Sequence, residues 1–294
     1  MHTARTSLAA YLVLVLAVVA GVQCADAAPS AADREFEALG TRFIDEFGRY
    51  APVQATALGD HRFDGELDDL GPDGRARTLA WTKEALARLQ AIERAALSRS
   101  NQVDAALLDN RLRYAIWTLE QFRDWSWDPI VYTRLAGDAI YGLLARDYAP
   151  MPARLRSVAS RLEKLPRLLE QERANLVPAR VPPIHAETAV RQNRGVLSLV
   201  DELVVPAMTT LPEEERARLG RAVDGARAAV GEHQKWLETQ LVPHARGEFR
   251  IGRELYDQRL AFELMSPLSR EDIRRRAGAE LTRTRERMYA VARE

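Results

Sequence analysis

A single cysteine, Cys24, and three lysines, Lys83, Lys164 and Lys235, are the scarcest chemistry in this chain. One cysteine cannot form an intramolecular disulfide, so stability must come from a packed core. The lysine shortage leaves arginine to supply nearly all of the 42 basic residues. That bias is compatible with bidentate anion recognition, but a GC-rich genome explains it more simply. Charge of one sign is also missing, because 42 acidic residues balance the basic ones. Neutrality argues against nucleic acid, which selects a basic face. There are five histidines, and no two lie one helical turn apart as zinc-binding helices require. A Gly-x-Ser-x-Gly elbow, a phosphate-binding glycine loop and any alternating strand of useful length are absent as well.

Residues 1–27 read as a secretory signal peptide. Arg5 gives a positive start, Leu8 to Val22 is almost wholly apolar, and Ala25-Asp26-Ala27 offers the small-x-small cleavage pattern, placing the cut after Ala27. The apolar run is too short to span a bilayer comfortably, so the mature chain is expected to have no transmembrane helix and to be exported, periplasmic or secreted. The alternative is an outer-membrane lipoprotein with its lipid anchor at Cys24, although Gly21-Val22-Gln23 is a poor lipidation signal. Cleavage at Ala27 removes one charge of each sign, Arg5 and Asp26, and leaves the mature chain neutral.

What the sequence has in abundance is amphipathic helical pattern. Phe36, Leu39, Phe43 and Phe47 share one face of a helix over 31–50. Pro72 opens a helix reaching about Ser98, and after a polar break another runs from about Val103 to Arg123. Ile130 to Tyr148 follows. Pro150 and Pro152 then open a helix carrying Leu155, Val158, Leu162 and Leu165 inward, which Pro166 is expected to kink or restart. A proline-rich break at 177–184 separates this from Ala186 to Met208. Glu213-Glu214-Glu215 starts a helix to about Leu241, Glu254 to Met265 is a short one, and Ser269 caps the last. The expectation is an all-α, multi-helix array over residues 31–294, with roughly nine to eleven helices.

The least helical stretch, Pro52 to Gly71, concentrates His61, Arg62 and the acids Asp60, Asp64, Glu66, Asp68 and Asp69. Capping and turn roles are favoured for Asp60, Asp64, Asp68 and Asp69 over ligand roles. A calcium site is the weaker reading, since the regular oxygen spacing with a distal Glu is missing. His233 beside Glu232 reads as a solvated pair, and His185 as a helix-start residue. Trp117, Phe122, Trp125 and Trp127 form either a packed helix corner, the favoured reading, or the lining of a groove.

Four motifs in order resemble the bacterial proteins grouped as domain of unknown function 885. They are Pro52-x-x-Ala55-x-x-Leu58-Gly59-Asp60-His61-x-Phe63-Asp64-x-x-Leu67-x-Asp69, then Asp104-x-x-Leu107-Leu108-x-x-x-Leu112, then Arg161-Leu162-x-x-Leu165-Pro166-x-Leu168-Leu169 with Asn175-Leu176, and Ile251-Gly252-x-x-x-Tyr256-x-x-x-Leu260. Proteins of that family are longer and resemble helical zinc metallopeptidases, with a His-Glu-x-x-Pro-Gly-His-His element in their C-terminal half. No such element occurs here, so no metal ligand or catalytic residue carries over. The resemblance implies the N-terminal lobe of a larger metallopeptidase-like fold, with zinc and a peptide substrate belonging to the complete protein. Asp60, His61 and Tyr256, which sit in the matching motifs, are the candidate substrate-cleft residues. Leu281, Met288 and Val291 are still in helical register near Glu294, which reads as a truncated pattern. The rival reading is a non-catalytic helical binding or scaffold protein of the periplasm.

Overall fold

The computed structural model describes residues 29–294, so the signal peptide, Ala27 and Cys24 lie outside the described residues. Among those described there are ten α-helices and no strand. They are α1 (Ala31–Phe47), α2 (Pro52–Leu58), α3 (Pro72–Ala91), α4 (Arg99–Trp117), α5 (Ile130–Leu144), α6 (Met151–Asn175), α7 (Pro183–Leu199), α8 (Glu213–Trp236), α9 (Arg253–Leu264) and α10 (Arg270–Ala292). None is long and apolar enough to cross a membrane.

Apolar periodicity places the core in two clusters. The larger joins α5, α6, α7 and α8 through Ile140, Leu143, Leu155, Leu162, Leu169, Val196 and Leu219. The smaller joins α1, α3 and α4 through Phe36, Leu39, Leu89 and Leu112. The segment between α2 and α3 packs Leu67 and Leu70 against the larger cluster. The acid-rich stretch is thereby pressed onto the core rather than left in solvent.

Several boundaries differ from expectation, among them the end of α3 at Ala91 rather than about Ser98. Ser98 is the N-cap of α4, which begins at Arg99, so the polar break is a cap. α6 runs through Pro166 rather than restarting there. A proline inside a helix costs about 3 kcal/mol, and the burial of Leu162, Leu165, Leu168 and Leu169 on both sides of it outweighs that cost. α4, α7 and α8 each end in a five-residue π turn, at Thr118–Phe122, Val200–Val204 and Leu237–Leu241. Each π turn carries a buried apolar residue (Phe122, Val204, Leu241).

α1 starts with a capping box. The Ser30 hydroxyl accepts from the Asp33 N–H at 2.9 Å, and the Asp33 carboxylate accepts from the Ser30 N–H at 3.1 Å. Asp33 also accepts from the Ser98 N–H and the Asn101 side chain, both at 2.8 Å, which ties the start of α1 to the start of α4. These donors hold its carboxyl well below the usual carboxylate range. Ser30→Ala is therefore expected to destabilise the protein by ~1 kcal/mol in urea unfolding.

Candidate functional site

α2 ends at Gly59, whose φ of 92° lies in the left-handed region that a side chain disfavours. The reversal turns Asp60 outward and His61 back over the core. Asp60 caps the following 3-10 turn, accepting from the Arg62 N–H at 3.1 Å and from its guanidinium through two contacts of 2.9 Å. Arg62 holds the Asp60 carboxyl below its ordinary value. Asp60 thus makes an exposed turn and lines neither of the cavities described below.

His61 begins a buried polar network. Its ring stacks on Tyr148 with centroids 3.5 Å apart, and its Nδ1 lies 3.0 Å from Asp64 Oδ2. Asp64 also accepts from Tyr148 Oη and from Thr56 Oγ1, each at 2.6 Å. Asp64 engages the His61 ring through Nδ1, and Nε2 makes no hydrogen bond among the described residues. Burial first, and the bond to Asp64 second, push the Tyr148 phenol up, so it stays a donor. Beneath them Arg161 is 1% exposed. It donates to the carbonyls of Glu66 and Ala139 at 2.9 Å, to Pro52 O at 3.3 Å and to Thr56 Oγ1 at 2.6 Å. Asp68 accepts from the Val53 N–H at 3.1 Å at the start of α2. Its burial outweighs that bond and the Arg161 charge, and pushes its pKa up to about 6.

The acids of this stretch do not converge. Asp69 accepts from Gly71 N–H, Gln171, Arg77 and Arg167, while Asp60, Asp64 and Asp68 have the separate partners just given. Capping and turn roles hold for Asp60, Asp68 and Asp69, whereas Asp64 is the centre of the buried network.

Two cavities adjoin at this face. The smaller, about 600 Å³, is lined by His61, Asp68, Tyr148 and residues of α2 and α5. The larger, about 880 Å³, lies between the end of α4, the start of α5, the start of α7, α9 and the start of α10. Val131 and Arg134 of α5 line both. Tyr256 is in the larger cavity, carried on α9 after Gly252, whose φ of 83° is again a glycine conformation. Three bonds seat α9 on α4: Asn110 to Phe262 O at 2.9 Å, Tyr114 Oη to Glu263 at 2.8 Å, and Trp117 Nε1 to Gln258 at 2.5 Å. The aromatic corner is packed, with Trp117 stacked on Phe122 at 5.1 Å and Phe122 edge-on to Trp127 at 5.3 Å. Its inner edge, Phe122 and Trp127, is also a wall of the larger cavity. His185 does begin a helix, and its Nδ1 lies 3.0 Å from Asp128 on that cavity's rim. Asp124, beside them, is pushed up by burial and by Asp128.

His233 departs from the solvated pair expected of it. It is fully buried, with Nε2 3.0 Å from the equally buried Glu172. The polar face read around Glu232 turns inward at this one position, where α8 meets α6 and Trp236 stacks on the ring at 5.5 Å. Burial pushes the Glu172 carboxyl up, and the His233 ring beside it acts the other way.

Spacing alone does not single out Tyr148, Arg161 or Arg134. Arg161 had two visible signals: it opens the third of the four motifs, and it falls on the apolar stripe of Val158, Leu162 and Leu165, where an arginine must be paired. Tyr148 and Arg134 carried none.

The fold and its paired cavities define an all-helical array with a cleft between its helix ends. The chain matches the family described as bacterial protein of unknown function (DUF885) over residues 52–294, and it belongs to that family. Among solved structures it is similar to a candidate lipoprotein of unknown function from Shewanella oneidensis, at 31% identity and a TM-score of 0.76. The match covers 84% of this chain and 46% of that one, so the chain spans about half of that relative's length. No curated protein matches.

Proposed function

We propose that this chain is the N-terminal helical lobe of an exported, zinc-dependent peptidase-like hydrolase and forms one wall of its peptide cleft. The observation that supports this reading is that His61 and Tyr256, from motifs at opposite ends of the match, line adjoining cavities that share Arg134. Asp60 contributes by shaping the turn that presents His61. Among the described residues no group of three or more His, Cys, Asp or Glu could hold a metal ion. The His61 and Asp64 pair offers one free imidazole nitrogen, and the Asp64 carboxylate is already occupied by its donors. These residues do not fit a zinc site, and the zinc implied by the resemblance would be held by residues outside this sequence.

The first test is the coding frame beyond the codon for Glu294. Continuation into a His-Glu-x-x-Pro-Gly-His-His element supports the reading, and the complete product should then hydrolyse peptides and lose that activity on chelation. In it, His61→Ala is expected to lower kcat/KM roughly tenfold by loosening substrate placement. A stop codon directly after Glu294 would sink the reading and leave a non-catalytic periplasmic binding or scaffold protein.

A further inference from the structure

We infer that the larger cavity is a recognition site for acidic peptides, binding side-chain or terminal carboxylates through an arginine cluster. Six arginines line it: Arg134, Arg250, Arg253, Arg259, Arg270 and Arg274. Only two carboxylates, Asp124 and Asp128, line it with them. Asp128 is engaged by His185 at 3.0 Å, and burial pushes the Asp124 carboxyl up.

The excess is local, since the chain as a whole is neutral. The adjoining smaller cavity is balanced, with Arg134 and Arg146 against Asp68 and Asp138. A codon bias toward arginine explains the replacement of lysine, but not why six arginines line one concavity. Some of the six have partners: Arg270 lies 2.5 Å from Asp257, Arg259 3.5 Å from Glu263, and Arg250 3.4 Å from Glu248. Arg134, Arg253 and Arg274 have no carboxylate within 4.0 Å among the described residues. Three guanidinium groups on α5, α9 and α10 are thus free to take bidentate carboxylates.

Size and lining select the ligand. About 880 Å³ is far more than an inorganic anion fills and is within the range that encloses a short organic chain. Phe122, Trp127 and Tyr256 give apolar contact between the charged groups. Arg134 faces both cavities, so a peptide anchored by its acidic end here extends its next residues toward His61. This inference rests on the proposed peptide-handling role, but it requires binding only and not hydrolysis.

The test uses this chain and two capped peptides, Glu-Glu-Glu and Gln-Gln-Gln, titrated calorimetrically at low salt. The glutamate peptide is expected to bind at least tenfold tighter, and to weaken steeply on raising the salt. The Arg253→Gln/Arg274→Gln double variant alters exposed side chains on separate helices, so unchanged circular dichroism is expected alongside at least tenfold weaker binding. An Arg156→Gln variant, on a distant surface, should bind as the parent does. Equal affinity for the two peptides, or a double variant that binds like the parent, would overturn the inference. Inorganic phosphate binding as tightly as the glutamate peptide would also overturn it, by showing a generic anion site. Binding without hydrolysis in the complete product would retain the site and reject the peptidase reading, so the two failures are distinguishable.

Discussion

Arg161→Ala is expected to destabilise the protein by about 3–5 kcal/mol, the range for removing one partner of a buried ionic network. The side chain is almost fully buried and makes four donor contacts, to three backbone carbonyls and to Thr56. Its charge also faces Asp64 and Asp68. Truncation leaves those carbonyls without a donor and removes the guanidinium charge that faces the two acids. It also opens a void in a close-packed region, so several penalties act together. Arg161→Lys keeps the charge but not the planar fork, and recovers only part of the loss. Urea unfolding followed by circular dichroism measures both variants. A cost below 1 kcal/mol for the alanine change would mean that the carbonyls find water and that the network does not hold α2 and its loop to α6.

The second large effect is a pH dependence carried by Asp68. Its folded pKa, about 6, lies above its ordinary value of 3.8 because burial disfavours the carboxylate. The native state therefore holds a proton that the unfolded chain has already released across that interval. The sign follows: Asp68's contribution is fully present below the unfolded value, is lost as pH rises from about 4 to 6, and is level above that. The loss is about 3 kcal/mol at most, from the width of the interval. In Asp68→Asn the side-chain oxygen can still accept from Val53 N–H, and the titration is gone. The difference in unfolding free energy between parent and variant should accordingly move in the variant's favour between pH 4 and pH 7. Parallel stability profiles would show that Asp68 titrates alike in both states.

Most of the architecture was legible because it is local. Stripes such as Phe36, Leu39 and Phe43, or Leu155, Val158 and Leu162, repeat at helical spacing, and the ten helices follow them. Proline misled where neighbouring leucines held α6 together, and the π turns could not be seen because one extra residue per turn leaves no compositional mark. The site was legible only in part. Turn chemistry gave the bonds that Asp60, Asp68 and Asp69 make with near neighbours or with α2, but not the reach of Asp69 to Arg167 and Gln171 on α6. The pairs that make the site, His61 with Tyr148, Arg161 with Thr56, and Arg134 between two cavities, join distant segments. Spacing carries no information about such meetings. His233 shows the same limit in the opposite direction: its neighbours in sequence are polar and exposed, and its neighbour in space is a buried carboxylate.

α10 contrasts with the rest of the array. None of its 23 residues is buried, and Leu281, Met288, Tyr289 and Val291 are all more than half exposed. It is held by its own backbone ladder, the Ser269 and Asp272 capping box, the pairs Asp272 with Arg275 and Glu280 with Arg283, and, at its first residue, the pair Arg270 with Asp257 of α9. Its amide hydrogens should therefore exchange with deuterium at the rate of local helix opening, while those of α6 wait for global unfolding. The core-destabilising change at Arg161 would accelerate exchange in α6 and leave α10 untouched, so the chain behaves as two cooperative units of very different size.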